Sequence, residues 1–433
     1  MRVRQWFYLL PVFLLVFAIS WSAPADVGPT YAVRNAKIVP VTGPVIDKGT
    51  LIIRDGLIEA VGAADKVVIP EDAEVFEAEG LIAYPGLISA HTNLFLEEAA
   101  APARPTGEAA PGPAELMAGA AAQPQSPQNA DLIIFKNLKP RKSTLDGFLK
   151  AGFTTVLVAP NRGIFQGQSV IVNLNGEEPG PMVVKNSAAL HLNFTTNRGG
   201  YPSSLMGTIA YIRQSFLDAD HYATVQTFYA KNLKGMKRPG FDPFLEALIP
   251  YLKDRKPVVF QCNNYEEIKR ALKIIEEFKL NAMLTHLNEA WRDSDVLKKA
   301  ALPLLVTLDF RPPNGSKYVS QGEDLRKKAE AEIYPANAAN LAKAGLKFAL
   351  TTFGLNDAAT ALKNVQTAIK AGLPKEVALK ALTIQPALFL GLAQQLGSLE
   401  PGKIANVILT KGELFEDKTQ VDKVFVDGVL WKF

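Results

Sequence analysis

The chain has 433 residues, of which 48% are hydrophobic, 21% charged and 9% aromatic, the composition of an ordinary folded enzyme and not of a disordered chain. Its one cysteine, Cys262, excludes an intrachain disulfide and a cysteine-built metal site, and four histidines leave little room for a multi-histidine centre. A net charge of only +4 gives no sign of a nucleic-acid binder, and the length allows about two to three domains or one large barrel with an appendage.

Arg2 and Arg4 precede an apolar run from Trp6 to Ile19 and a small-x-small ending, Ala23-Pro24-Ala25. That is the order of a secretory signal. The apolar run, about 15 residues, is shorter than the ~20 that span a bilayer. The expectation is a signal peptide over 1–25 and an exported, soluble protein, periplasmic or secreted. No membrane span is left after cleavage; an uncleaved N-terminal anchor is the alternative. A lone cysteine suits an oxidising compartment, since it cannot form a wrong intrachain bridge.

After the leader, Tyr31–Val41, Thr50–Arg54 and Leu57–Val61 read as short strands, with Asp55-Gly56 as a tight hairpin turn. The C-terminus has the same texture in Asn406–Thr410, Val421–Val426 and Val429–Phe433, with Asp427-Gly428 as its turn. Residues 30–83 and 395–433 are therefore expected to build one composite β-sandwich from both termini. Between them, over 84–394, strands alternate with helices. Leu81–His91, Thr154–Val158, Met182–Leu192, Pro257–Cys262, Ala282–His286, Leu304–Leu308 and Phe348–Thr352 are candidate buried strands, and helical periodicity follows several of them, as in Tyr265–Phe278. This alternation predicts an α/β fold of the (β/α)8 TIM-barrel type. Seven strands are legible where a complete barrel has about eight. Either one lies hidden between Leu192 and Lys256 or the barrel is incomplete. Ala, Pro, Gly and Gln dominate residues 97–130, which cannot bury enough apolar surface to offset their ordering entropy. They read as a flexible insertion after the first barrel strand, with a lid at the barrel mouth as the alternative role.

The stretch Tyr84-Pro85-Gly86-Leu87-Ile88-Ser89-Ala90-His91-Thr92-Asn93 resembles the first-strand signature of the metal-dependent amidohydrolase superfamily, Pro-Gly-Leu-Ile-Asp-x-His-x-His. Residues 39–79 are similar to the leading β-domain of imidazolonepropionase-like members. Ala378-Leu379-Lys380-Ala381-Leu382-Thr383 resembles the helix pair after the last barrel strand, and Gly397-Ser398-Leu399-Glu400-Pro401-Gly402-Lys403 the return to the β-domain. The resemblance covers nearly everything after residue 30. It implies a barrel with a composite β-sandwich and hydrolysis of carbon–nitrogen bonds, in cyclic amides or peptide-like substrates, at a divalent metal.

At the metal positions the chain departs from the pattern. The resemblance places ligands at His91 and His286, but puts Asn93 and Gln261 where the family has further histidines, and Phe353 or its neighbour where it has the metal-binding aspartate. Catalytic zinc usually takes three strong ligands from His, Cys and carboxylate, and neutral amides suit harder cations. The expectation is one weakly bound divalent metal, zinc or manganese, or none if the site is dismantled. Lys136, Lys185, Asp218, Asp220 and Glu289 are the candidate replacements. His191 reads as a core histidine and His221 as a solvated one near Asp218 and Asp220. Asp357 reads as a helix N-terminal carboxylate. The polar, glycine-punctuated segment Pro160–Ser169 resembles the Gly-Gly-Gln loop of a secreted amidohydrolase subset. It makes Gln166, Gly167, Gln168 and Ser169 candidates for binding a small polar substrate, with a structural turn as the other reading.

Two functions stay open on the sequence. One is an amidohydrolase of weak or altered activity. The other is a catalytically silent, exported relative that binds a small polar ligand, or pairs with an active homologue or a second copy of itself.

Overall fold

In the computed structural model, residues 28–96, 128–197, 200–312, 321–355 and 357–433 are described. The expected signal peptide and nearly all of the 97–130 insertion lie outside those residues.

The first strands are β1 (Tyr31–Ile38), β2 (Ile46–Arg54), β3 (Leu57–Ala63), β4 (Glu74–Glu77) and β5 (Ile82–Pro85). The last are β16 (Val407–Lys411), β17 (Gln420–Val426) and β18 (Val429–Lys432). All eight share one mixed sheet, ordered β18-β17-β16-β5-β1-β2-β3 with β4 paired to β1. Both ends of the chain thus meet through the β5–β16 pairing. Period-2 alternation gives this sheet two buried faces. Val407, Leu409 and Phe425 pack with Val33, Ile38, Leu51 and Ile53. Their neighbours Ile408, Val424 and Val426 point the other way, into the main core.

Between the ends lie β6 (Leu87–Thr92), β7 (Phe153–Val158), β8 (Phe165–Gln168), β9 (Val170–Asn173), β10 (Val183–Lys185), β11 (Leu190–Asn193), β12 (Val258–Gln261), β13 (Ala282–Thr285), β14 (Leu304–Thr307) and β15 (Phe348–Thr351). They form two sheets, β10-β9-β7-β6 and β15-β14-β13-β12-β11-β8. β6 is parallel to β7, and β11 through β15 run parallel in order. Their almost uninterrupted burial is what helices on one side and packed side chains on the other impose on a parallel sheet. Ser89 of β6 meets Thr352, just past β15, through a 2.8 Å hydroxyl hydrogen bond, so the outer strands of the two sheets adjoin there.

Three expectations are revised. The run Leu81–His91 is not one strand. It breaks at Gly86, whose N–H goes to Asn406 O, so that β5 serves the terminal sheet and β6 the barrel-like one. A Cβ at Gly86 would stand 2.1 Å from Thr154 Oγ1, so this crossing needs glycine. No strand occurs among the described residues between Leu192 and Lys256, which hold the helices Leu205–Lys231 and Pro243–Leu252 instead. The segment 165–173, read as a loop or turn as far as Ser169, is extended. Its first half pairs antiparallel with β11 and its second half antiparallel with β7, pivoting at Ser169, whose N–H and C=O bond to Ala189 and Ala188. It joins the two groups of parallel strands, pairing with β11 on one side and β7 on the other.

Helix caps follow from local chemistry. Asn264 accepts the Glu267 N–H at the start of Tyr265–Phe278, and Asp357 accepts the Thr360 N–H at 2.7 Å, the role read for it in the sequence. No helix among the described residues is long and apolar enough to cross a membrane.

Candidate functional site

In a parallel α/β layer the C-terminal strand ends and the loops after them carry the site. His91 lies near the end of β6, His191 within β11, His286 immediately after β13 and Phe353 two residues after β15. Side chains one strand apart on the same face converge, and these four do. The His91 ring centroid is 5.1 Å from His191, 5.2 Å from His286 and 4.5 Å from Phe353, and His286 is 4.4 Å from Phe353. His286 reaches the cluster because its backbone turns left-handed, at φ 62°, as the chain leaves β13.

The cluster is dry. His91 and His191 are each 1% exposed, and His91 Nδ1 shares a 2.9 Å hydrogen bond with the Thr285 hydroxyl. His91 Nε2, His191 Nε2 and His286 Nδ1 are buried without a hydrogen-bond partner among the described residues. Burial therefore dominates their protonation. It pushes His191 down to about 3 and His286 to about 4, the latter partly offset by the charge of Asp309. His91 is pushed well down, first by burial and then by its two histidine neighbours. All three imidazoles are neutral near pH 7.

The other expected site residues are placed as follows. Asn93 stands just past β6, with its carbonyl accepting the Leu96 N–H. Gln261 spends its amide on other side chains, donating to Asn263 Oδ1 at 3.0 Å and accepting from Gln166 Nε2 at 3.4 Å. Gln168 donates to Ala130 O at 2.9 Å and accepts from the Ser187 hydroxyl, while Ser169 Oγ donates to Ala189 O. Gly167 adopts φ 118°, and a Cβ there would meet Leu132 O at 2.8 Å. Of these four, Gln166 alone both touches the Gln261 amide and lines a cleft of about 360 Å³, together with Asn129, Lys136 and Arg162.

Asp218 binds Gln214, Asp220 pairs with Lys253, Lys185 donates to Leu390 O, and buried Glu289 holds Arg292 and the Tyr265 N–H. His221 is exposed on Leu205–Lys231. Two participants do not read as site residues in the sequence: His191, which reads there as a core histidine, and Asp309, not singled out at all, which is paired with Arg311 at 2.8 Å and near enough to act on His286. The available signal for Asp309 was a carboxylate directly after the candidate strand Leu304–Leu308, where barrel sites gather.

A zinc or manganese centre requires three strong donors and an open position. Among the described residues no three His, Cys, Asp or Glu side chains converge so as to hold a metal ion. The Phe353 ring lies against two of the three imidazoles, at the position where the resemblance puts an aspartate. The donor set does not fit the metal that the fold implies.

Parallel strands, return helices and a strand-end cluster define a TIM-barrel-like α/β protein. An amidohydrolase from Thermotoga maritima MSB8 superposes with a TM-score of 0.75 and 24% identity, over 93% of this chain and 100% of that one. The Amidohydrolase family profile matches residues 318–430. Adenine deaminase 2 of Jannaschia sp. is 34% identical over 155 residues, 33% of this chain and 20% of that protein. The 5-methylthioadenosine/S-adenosylhomocysteine deaminase of Moorella thermoacetica is 39% identical over 62 residues, 14% of each. The matched stretches thus span a fifth or less of these curated relatives. Residues 318–430 resemble the amidohydrolase family in sequence, and the fold as a whole is that of the Thermotoga amidohydrolase.

Proposed function

We propose that this protein keeps the amidohydrolase scaffold without its metal-hydrolytic centre, and that the strand-end site serves to bind a small polar molecule. One observation carries the reading: three neutral imidazoles cluster, two of them against the Phe353 ring, with no carboxylate among them. Without a carboxylate, a cation held there lacks charge compensation, and the attacking water lacks a proton acceptor. Gln166 and the cleft beside it supply amide groups of the kind that hold a polar ligand.

In this reading the two central sheets close into the barrel and the terminal sheet is one layer of the composite β-sandwich. The chain is exported, and it pairs with an active relative or with a second copy. A second reading is favoured by one contact. Asp309 acts on His286 and stands after β14, so it is the carboxylate that could restore hydrolysis of a carbon–nitrogen bond, the chemistry of the deaminases named above.

Metal content decides between the readings. Protein purified without chelator should hold well under one equivalent of zinc or manganese and leave cyclic amides, dipeptides and adenine uncleaved. Near-stoichiometric metal lost on His286→Ala would overturn the silent-site reading. Turnover abolished by Asp309→Asn would establish the second.

A further inference from the structure

The helix Leu205–Lys231 buries Ile212, Phe216, Ala219 and Tyr222 along its first two-thirds, and none of its residues after Tyr222 is buried. It nevertheless runs on for roughly 13 Å, at about 1.5 Å per residue. The chain then comes back, because the Asp242 N–H donates to the Tyr222 hydroxyl at 3.4 Å, next to the start of Pro243–Leu252. Residues 223–241 therefore form a two-legged projection. Since β11 and β12 are parallel, the connection between them returns to the N-terminal strand ends. The projection lies at the end of the molecule opposite the histidine cluster.

Its surface is unusual in two ways at once. Phe228, Leu233, Met236 and Phe241 are 59%, 66%, 40% and 77% exposed, a concentration of large apolar side chains that water disfavours. Lys231, Lys234, Lys237 and Arg238 are exposed among them, and no Asp or Glu occurs from 222 to 241. Where the helix end meets the next helix, Phe228, Lys231, Ile249 and Lys253 line a groove of about 530 Å³ that also holds Glu246. Neither property alone names a partner. Together they match the interface of an anionic bilayer, where apolar tips enter the acyl boundary and the long basic side chains reach the phosphates. A nucleic acid would engage the cations but leave four apolar side chains in water.

We propose that residues 223–241 dock the protein onto a membrane surface rich in anionic phospholipid, leaving the strand-end site facing solution. The docking does not depend on what that site binds.

Sedimentation of the full chain with phosphatidylcholine vesicles, with and without phosphatidylglycerol, tests this. Residues 1–25 are common to every sample, so comparison between variants reads the projection alone. The advantage of the parent over the variants should require phosphatidylglycerol and shrink with salt. Each cation near such a surface contributes about fivefold in partitioning. Lys231→Gln, Lys234→Gln, Lys237→Gln and Arg238→Gln combined should then lower it by about a hundredfold or more, and Leu233→Ser with Phe241→Ser by about tenfold. Unchanged binding of the four-charge variant to the phosphatidylglycerol vesicles, or the same difference between it and the parent on neutral vesicles, would overturn the proposal. So would tighter binding to duplex DNA than to vesicles, or serine variants that change only the oligomeric state.

Discussion

An imidazole kept neutral by burial, but titrating near 6.5 once unfolded, makes stability depend on pH. Between its folded and unfolded values the unfolded chain binds a proton that the folded chain refuses. Stability is therefore complete above pH ~6.5 and is lost as pH falls from there toward the folded values, about 4 for His286 and about 3 for His191. Each buried histidine should contribute a slope of about 1.4 kcal/mol per pH unit across that window. Urea midpoints at pH 7.5 and pH 5 measure it (the pH values are chosen as roughly one unit or more either side of 6.5), and His191→Gln should flatten the slope. A midpoint that does not move would show that these rings are solvated. The same cluster makes Phe353 the informative position to change. Phe353→Asp sets a carboxylate beside His91 and His286, with His191 adjoining, and completes the donor types a zinc site uses. The variant should take up one cobalt ion with tetrahedral visible absorption where the parent does not. Failure of the variant to bind would mean that the backbone, and not the aromatic ring, keeps metal out.

Among the elements, hairpins were the most legible because their signal is local. Asp55-Gly56 and Asp427-Gly428 both turn with positive φ, as a two-residue hairpin demands. The strand ends of the middle were less so. An apolar run such as Leu81–His91 carries no mark of which sheet each half joins, and only the steric closeness of Gly86 to Thr154 shows where the run divides. The segment 165–173 was harder still. Phe165, Val170, Ile171 and Val172 are fully buried, yet the polar Gln166, Gln168 and Ser169 and the glycines around them masked a strand that pairs with two partners in turn. Gly167 is what lets it pass Leu132, so Gly167→Ala should cost about 1–3 kcal/mol from left-handed strain and backbone contact. Chemical denaturation measures this, and a cost under about 0.5 kcal/mol, the level of an ordinary surface change, would contradict the close approach.

For the whole molecule, the terminal sheet is fastened to the barrel-like part by a buried polar network. Asp427 accepts from Asn173 Nδ2 at 2.6 Å and Asn175 Nδ2 at 2.5 Å, its N–H donates to Asn406 Oδ1 at 2.8 Å, and Asn406 Nδ2 reaches Thr155 and Asn173. Residues from β7, β9 and the β17–β18 turn are held in one cluster. Asp427→Ala strands two amide donors and should destabilise by about 1–3 kcal/mol. If the network couples the parts, the variant unfolds in one transition at lower denaturant; if it does not, the terminal sheet melts separately. The two Asp-Gly turns also abut, since a Cβ on Gly428 would come within 2.7 Å of Gly56 Cα. The opposite ends of the chain meet turn against turn.

By itself, the sequence determined the two β-rich ends, the α/β alternation between them and the presence of Asn93 and Gln261 where the resemblance puts histidines. Each of these is written in local periodicity, turn chemistry or a contiguous motif. The tertiary structure alone decided that His191 joins His91 and His286, and that Gln261 turns toward Gln166. It also decided that Phe353 packs into the cluster and that an antiparallel segment bridges the two central sheets. The physical reason is that strand register and side-chain convergence are set by pairings between residues about a hundred or more apart, as His91 and His191 are. Single-chain patterning does not encode which buried face will meet which.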